Sequence, residues 1–313
     1  MIGSPKMIRR RFSQYSNIPI FQYSKGVTLI ELLIALVISA ILIAGIYRGF
    51  IHQQRTYATQ EQVADMQQNV RIAISRMMRE IRMAGFGGVG NVLSGGGVNG
   101  FTTTINLPAV APYDNSITVV GGFDQVSTLA ADAIAGQSLL TLTNATNRFD
   151  GAANGFISIG GTESNTVTGR AGKVLTLGSP LRLTHKVTDA LEKPITVPVF
   201  KIEAITYLCG VSDGKAVLQR NENTGGGPQP LANNIENIQF EYFDDANPPK
   251  QLVPPIAGVD LEKIRMIRVT VTARTSMKDS DYKGGPDYVE GEGSYRKRQI
   301  SSNIQIRNMG VSP

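Results

Sequence analysis

The sequence predicts an α+β fold: one long amino-terminal helix, apolar first and amphipathic after, packed on a mostly antiparallel β globular head. Three observations predict it. Residues 27–47 form an apolar run in which Glu31 is the single charge. Residues 48–84 contain no proline and place apolar side chains at helical spacing. Residues 85–313 hold all but four of the 33 Gly and all but two of the 15 Pro, a turn-rich, mostly β composition.

Composition bounds what the chain can do. It has 313 residues, 42% hydrophobic and 18% charged. A mean hydropathy of -0.06 excludes a multi-span membrane protein, and the apolar content is too high for a disordered one. Cys209 is the lone cysteine, which excludes an internal disulfide framework and a Cys-based zinc site. His52 and His185 stand far apart with no second ligand nearby, so no His-type metal site is expected. The net charge of +6 is concentrated at the start: Lys6, Arg9, Arg10, Arg11 and Lys25 precede the apolar run without any acid. The remainder is nearly balanced, so the basic pI is no nucleic-acid footprint and no nucleic-acid partner is predicted.

The apolar run spans Val27 to Tyr47. As a helix rising ~1.5 Å per residue it covers about 30 Å, the thickness of a bilayer's hydrocarbon core. A cleaved secretory signal has a shorter apolar region of roughly 7–15 residues closed by small residues, which this run lacks. The preceding positive charges place the leader in the cytoplasm and the rest outside it. Glu31 is the informative residue. The related penalty for Asp at the centre of a membrane helix is roughly 2.5–3.5 kcal/mol. A plain anchor has no need of a carboxylate, and a snorkelling Glu at the interface is the alternative.

The string Lys25-Gly26-Val27-Thr28-Leu29-Ile30-Glu31-Leu32-Leu33 resembles the type IV prepilin (class III) signal. The resemblance implies cleavage between Gly26 and Val27 by a prepilin peptidase on the cytoplasmic side, then methylation of the new amino terminus at Val27. It divides the chain into a leader (1–26), a long helix (27–84) and a pilin-like β head (85–313). Within the helix, 27–47 would be the transmembrane segment and filament core, and 48–84 the amphipathic stem. Family members more often carry Phe or Met at the position of Val27. A physical role for the fifth-position acid follows. The freed Val27 amine, buried in a helix bundle, would cost several kcal/mol unpaired, and Glu31 supplies the counter-charge that favours a staggered register.

The resemblance extends further. Met78-Arg79-Glu80-Ile81-Arg82-Met83-Ala84-Gly85-Phe86-Gly87, the segment Ile264–Arg274 and Ser301-Ser302-Asn303-Ile304-Gln305-Ile306-Arg307-Asn308 are similar to PilW-family minor pilins. The stretch of about 90–230 matches loosely, and the related pseudopilin J of type II secretion shares the architecture. The implied function is a minor type IV pilin that helps prime pilus assembly. The implied partners are other minor and major pilins, the prepilin peptidase, the inner-membrane assembly platform, and lipid before assembly. The implied location is the inner membrane with the head outside the cytoplasm, then the pilus surface. Two alternatives stay open: a secretion pseudopilin, and a membrane-anchored binding domain or adhesin that never assembles.

In the stem, Val63, Met66, Val70, Ile74, Met77, Ile81 and Ala84 recur every three or four residues and make one narrow stripe. Arg71, Ser75, Arg79 and Arg82 make a polar stripe. The apolar stripe is read as the face that packs on the chain's own head, with a coiled-coil dimer as alternative. Gly45 and Gly49 would mark a bend or a melted stretch; many pilins carry a proline nearby, where this chain has Arg48. The helix is expected to stop at Ala84-Gly85-Phe86-Gly87-Gly88.

The head's expected strands are 116–120, 138–143, 156–159, 174–177, 195–208, 216–220, 235–243, 264–274 and 299–307. Ile267, Val269, Val271 and Ala273 alternate with Arg268, Thr270, Thr272 and Arg274, as in a strand with one buried face. The chemistry-bearing residues point to no enzyme, cofactor or metal. No glycine run has phosphate-loop spacing and no Gly-x-Ser-x-Gly occurs. His185 reads as a surface or edge-strand residue. Asp244-Asp245 and Asp279-Ser280-Asp281 lack the EF-hand spacing and read as solvated loop acids. Cys209 reads as a buried small hydrophobe, and Arg296-Lys297-Arg298 as solvated.

Overall fold

The computed structural model describes residues 26–149, 155–256 and 258–308, so the leader expected at 1–26 lies outside the described residues except for Gly26. The chain divides into two units, residues 1–57 and 58–313. Helix α1 (Leu29–Arg82) is 54 residues long and is helical through Gly45, Arg48 and Gly49. Its termination falls two residues before the expected Ala84.

In the first unit the helix side chains from Leu29 to Phe50 are exposed, with no buried stripe. This is the one helix, among the described residues, long and apolar enough to cross a membrane, with a mean hydropathy of 2.8 over its most apolar window.

In the second unit α1 buries Met66, Val70, Ala73, Ile74, Met77, Glu80 and Ile81. These include Met66, Val70, Ile74, Met77 and Ile81 of the stripe read from spacing; Val63 is part-buried against the same core, and Ala84 is buried just beyond the helix. They share one core with residues of the head, so the stripe is an intrachain face, as a 3.6-residue period beneath a β layer requires. A short helix α2 (Gly90–Ser94) follows.

Among the described residues the unit has thirteen strands: β1 (Ile105–Asn106), β2 (Ser116–Thr128), β3 (Leu139–Thr141), β4 (Gly155–Ile159), β5 (Glu163–Ala171), β6 (Val174–Leu177), β7 (Pro198–Ser212), β8 (Lys215–Asn221), β9 (Gln229–Asn233), β10 (Ile235–Phe243), β11 (Gln251–Leu252), β12 (Met266–Arg274) and β13 (Lys297–Gln305), with a short 3-10 helix (Gly258–Lys263) between β11 and β12.

All pairings are antiparallel. The larger sheet runs β1-β2-β7-β4-β5-β6-β3, with β8 also on β7 and β9 on β8. The 15-residue β7 is its hub. One edge pairs with β2, from Ser116 opposite Leu208 to Thr128 opposite Pro198. The other edge takes β4 over Val199–Ile202 and β8 over Thr206–Ser212. The smaller sheet runs β11-β10-β12-β13.

Three apolar clusters result. The main one joins the α1 stripe to Ile117, Val119, Ile205 and Tyr207 of the larger sheet and to Ile238, Phe240, Val269 and Val271 of the smaller. A second fills the β3–β6 lobe around Leu140, Ile157, Val167 and Leu175. A third, with Val92 of α2, sits against Ile202 and Ala204. Strand β7 serves all three clusters: Val199 enters the second, and further along alternation turns Ile205 and Tyr207 to the first and Ile202 and Ala204 to the third.

The glycine run after α1 allows the chain to lie flat on the head. The Gly85 N–H donates to the Val120 carbonyl at 2.9 Å, and the Gly122 N–H donates to Phe86 at 2.9 Å. At Gly88 φ is +61°, and a Cβ there would stand 2.2 Å from the Thr162 carbonyl oxygen. Only glycine fits.

Every expected strand is present, and the β12 alternation is as read, with Ile267, Val269, Val271 and Ala273 buried. Strands β1, β5, β9 and β11 were not expected. In β5 the buried residues are Glu163, Ser164, Asn165 and Val167, so burial there has little hydrophobic signature.

Candidate functional site

The amino-terminal site is built on the start of α1. Thr28 immediately precedes the first helical residue, Leu29. The Thr28 N–H and the Thr28 hydroxyl each donate to Glu31 Oε2 at 2.9 Å. The Glu31 N–H in turn donates to Thr28 Oγ1 at 3.3 Å. This is a reciprocal capping box: it satisfies amides that the first helical turn leaves without partners. Helix formation therefore begins after Val27. Gly26 and Val27 lie in non-helical backbone, and Val27 is 73% exposed. The peptide bond between these two residues is exposed and lies outside the helix. The Glu31 carboxylate lies one helical turn beyond Val27 and is already held by Thr28. Thr28 is the residue that sequence reasoning missed; its signal was the Thr-x-x-Glu spacing.

A second polar constellation lies in the head. Glu80, on the buried face of α1, is 1% exposed. Its Oε1 accepts from Arg76 Nε at 2.8 Å, and its Oε2 accepts from Arg220 Nε at 3.2 Å and from the Tyr207 hydroxyl. Arg220 also donates through Nη1 to Glu222 at 2.6 Å. Burial first, then the Glu80 charge and hydrogen bond, push the Tyr207 hydroxyl far above the ordinary tyrosine range, so it stays a donor. For Arg220, burial would lower the pKa. The charge of Glu80 and the bonds to Glu222 and Glu80 outweigh it and raise the value. Glu222 is held below the ordinary carboxylate range, chiefly by its bond from Arg220. In the sequence Glu80 stands out only as one residue of the family-like string 78–87.

The other candidates are dispersed. His185 is not a surface residue. It is 9% exposed, with Nε2 3.1 Å from Glu163 Oε2. Glu163 also accepts the Arg182 N–H at 2.6 Å and the Leu183 N–H at 3.0 Å. A buried carboxylate thus fastens this loop, and the histidine is its third donor or partner. Cys209 is half-buried on β7, and burial pushes its thiol up to about 11. Asp244 accepts the Ala246 and Lys250 amides within its own loop. Asp279 pairs with Arg296 at 2.7 Å, and Lys297 pairs with Glu236 at 2.8 Å, so two of the three clustered cations are engaged. Among the described residues no cluster of His, Cys, Asp and Glu could hold a metal ion.

A family model described as the prokaryotic N-terminal methylation motif matches residues 22–47. Neither a curated protein nor a solved structure matches the chain. The matched segment covers the capped helix start and the apolar run, which together form a prepilin-type signal. That signal, on a long apolar helix followed by an antiparallel β head, supports a type IV pilin-like protein of the pilin or pseudopilin type. Such a signal implies processing by a prepilin peptidase and assembly with other pilins.

Proposed function

We propose that this chain is a minor type IV pilin, a structural and assembly subunit without catalysis, that helps start the filament. The observation carrying the reading is the methylation motif over 22–47, seated on an exposed Gly26–Val27 peptide ahead of a capped apolar helix. In this reading the peptidase cuts after Gly26 and the Val27 amine is methylated. The helix then moves from the inner membrane into the filament bundle, with the head on the outside. On cutting, Val27 acquires a positive amine four residues before Glu31. The carboxylate, already positioned by Thr28, then stands close to a charge that would otherwise be buried unpaired, at a cost of several kcal/mol. The similarity of 78–87, 264–274 and 301–308 to PilW-family minor pilins favours a minor subunit.

Mass spectrometry of the amino terminus in sheared surface filaments tests processing and incorporation together. The expected species begins at Val27 and carries one methyl group. Glu31→Ala is expected to be cut normally yet to be depleted from filaments. Recovery only from membranes with the leader intact would establish a plain anchored binding domain instead. A secretion pseudopilin carries the same signal, and loss of secretion rather than of surface filaments on deleting the gene would select it.

A further inference from the structure

A cavity of about 280 Å³ opens beside the β8–β9 connection, with Arg76, Arg220, Glu222, Thr224, Gln229 and Leu231 in its wall. Two arginines line it, and the guanidinium groups of both are bonded to the same carboxylate. Arg76 and Arg220 each direct Nε to Glu80, which is buried, so neither plane is free to rotate. Their Nη groups are left for other partners. Arg220 gives Nη1 to Glu222. Arg76, whose side chain is 38% exposed, makes no further hydrogen bond among the described residues.

Glu222 differs from Glu80 in being replaceable. Its side chain is 45% exposed, and it precedes the glycine run 225–227, where Gly225 and Gly227 have φ of +95° and +72°. The backbone beyond it is held, because Asn223 Nδ2 donates to the Ala204 carbonyl at 2.8 Å and to Thr206 Oγ1 at 2.9 Å. The side chain can therefore leave Arg220 without the strand end moving.

We propose that the cavity binds a carboxylate, which takes the open Nη donors of Arg76 and replaces Glu222 on Arg220. A planar fork of donors matches a carboxylate in geometry. The exchange also keeps the local charge unchanged, since one carboxylate leaves as another enters. A phosphate dianion would add a second negative charge beside Glu80 and Glu222. The carboxylate comes either from a free small acid or from an acidic side chain of another polypeptide, and the two sources present the same group.

The test uses the full chain in detergent micelles, with the arginine Nε–H signals followed by NMR. One arm is titrated with succinate, the other with a blocked tripeptide bearing a central glutamate. Saturable shifts of the Arg76 and Arg220 signals are expected. Glu222→Gln should tighten binding about threefold or more, because the resident competitor is gone. Arg76→Gln should abolish saturation while keeping the dispersion of the wild-type spectrum. Saturation by succinate assigns the site to free acids, and saturation by the peptide alone assigns it to a polypeptide carboxylate. No saturable shift with either probe in Glu222→Gln overturns the proposal. So does the same shift with sodium chloride at matched ionic strength, or binding undiminished in Arg76→Gln.

Discussion

Glu80 draws three donors onto one buried carboxylate, and its removal would strand them. The Arg220 side chain is 11% exposed and would keep its charge with only Glu222 beside it. Glu80→Ala is therefore expected to destabilise the head by about 3 kcal/mol or more, read from urea unfolding of the full chain in micelles. An unchanged midpoint would show that solvent already screens this cluster. Cys209 makes the opposite case, a group whose environment silences it. With its thiol pushed from 9.0 up to about 11, the thiolate fraction at pH 8 is about a hundredfold below that of an ordinary cysteine. Iodoacetamide is expected to label Cys209 far more slowly in the folded than in the urea-unfolded chain. At this scale the sequence showed Glu31 plainly, since a charge inside an apolar run is conspicuous. It did not show Glu80, which looks like any acid on a polar stem until the fold covers it.

The stem of α1 was legible because helical periodicity is local. Met77 falls on the predicted stripe and is fully buried. Met77→Ala is expected to cost about 2–5 kcal/mol through lost burial and a residual cavity. Ile72, on the same helix but exposed, should cost little when replaced by Ala. Equal costs at both positions, measured by unfolding of the two variants, would mean that the stripe does not pack as described. Strand β12 was legible for the same reason, its period of two being written in four apolar and four polar residues. Strands β5 and β9 were not. β5 buries a carboxylate, a hydroxyl and an amide that are satisfied by partners elsewhere, and β9 carries Pro230 within five residues. Polar burial leaves no periodic trace.

Across the whole head, the charged groups set a response to acid. Glu222 is held low chiefly by its bond from Arg220, and Asp287 chiefly by the Tyr295 amide. For Asp279, burial opposes the shift, and the bonds from Arg296 and the Asp281 amide prevail. A carboxylate with a depressed pKa contributes its stability above the ordinary carboxylate range and loses it as pH falls through the folded value. The thermal midpoint, followed by circular dichroism, is expected to be flat above about pH 5 and to fall below about pH 4. A midpoint that rises on acidification would mean that repulsion among these acids outweighs their pairing.

Sequence alone determined the prepilin-type signal within residues 22–47, the apolar helix, the stem's buried face and most of the strands. Each of these is a pattern within a few turns or a few residues, and short-range sterics and hydrophobicity suffice to write it. Tertiary structure decided what Glu80 meets, with Tyr207 lying 127 residues away and Arg220 lying 140 away. It also decided that β7 joins β2, β4 and β8, and that two arginines share one cavity. Such meetings depend on how distant segments pack, and no local period encodes them.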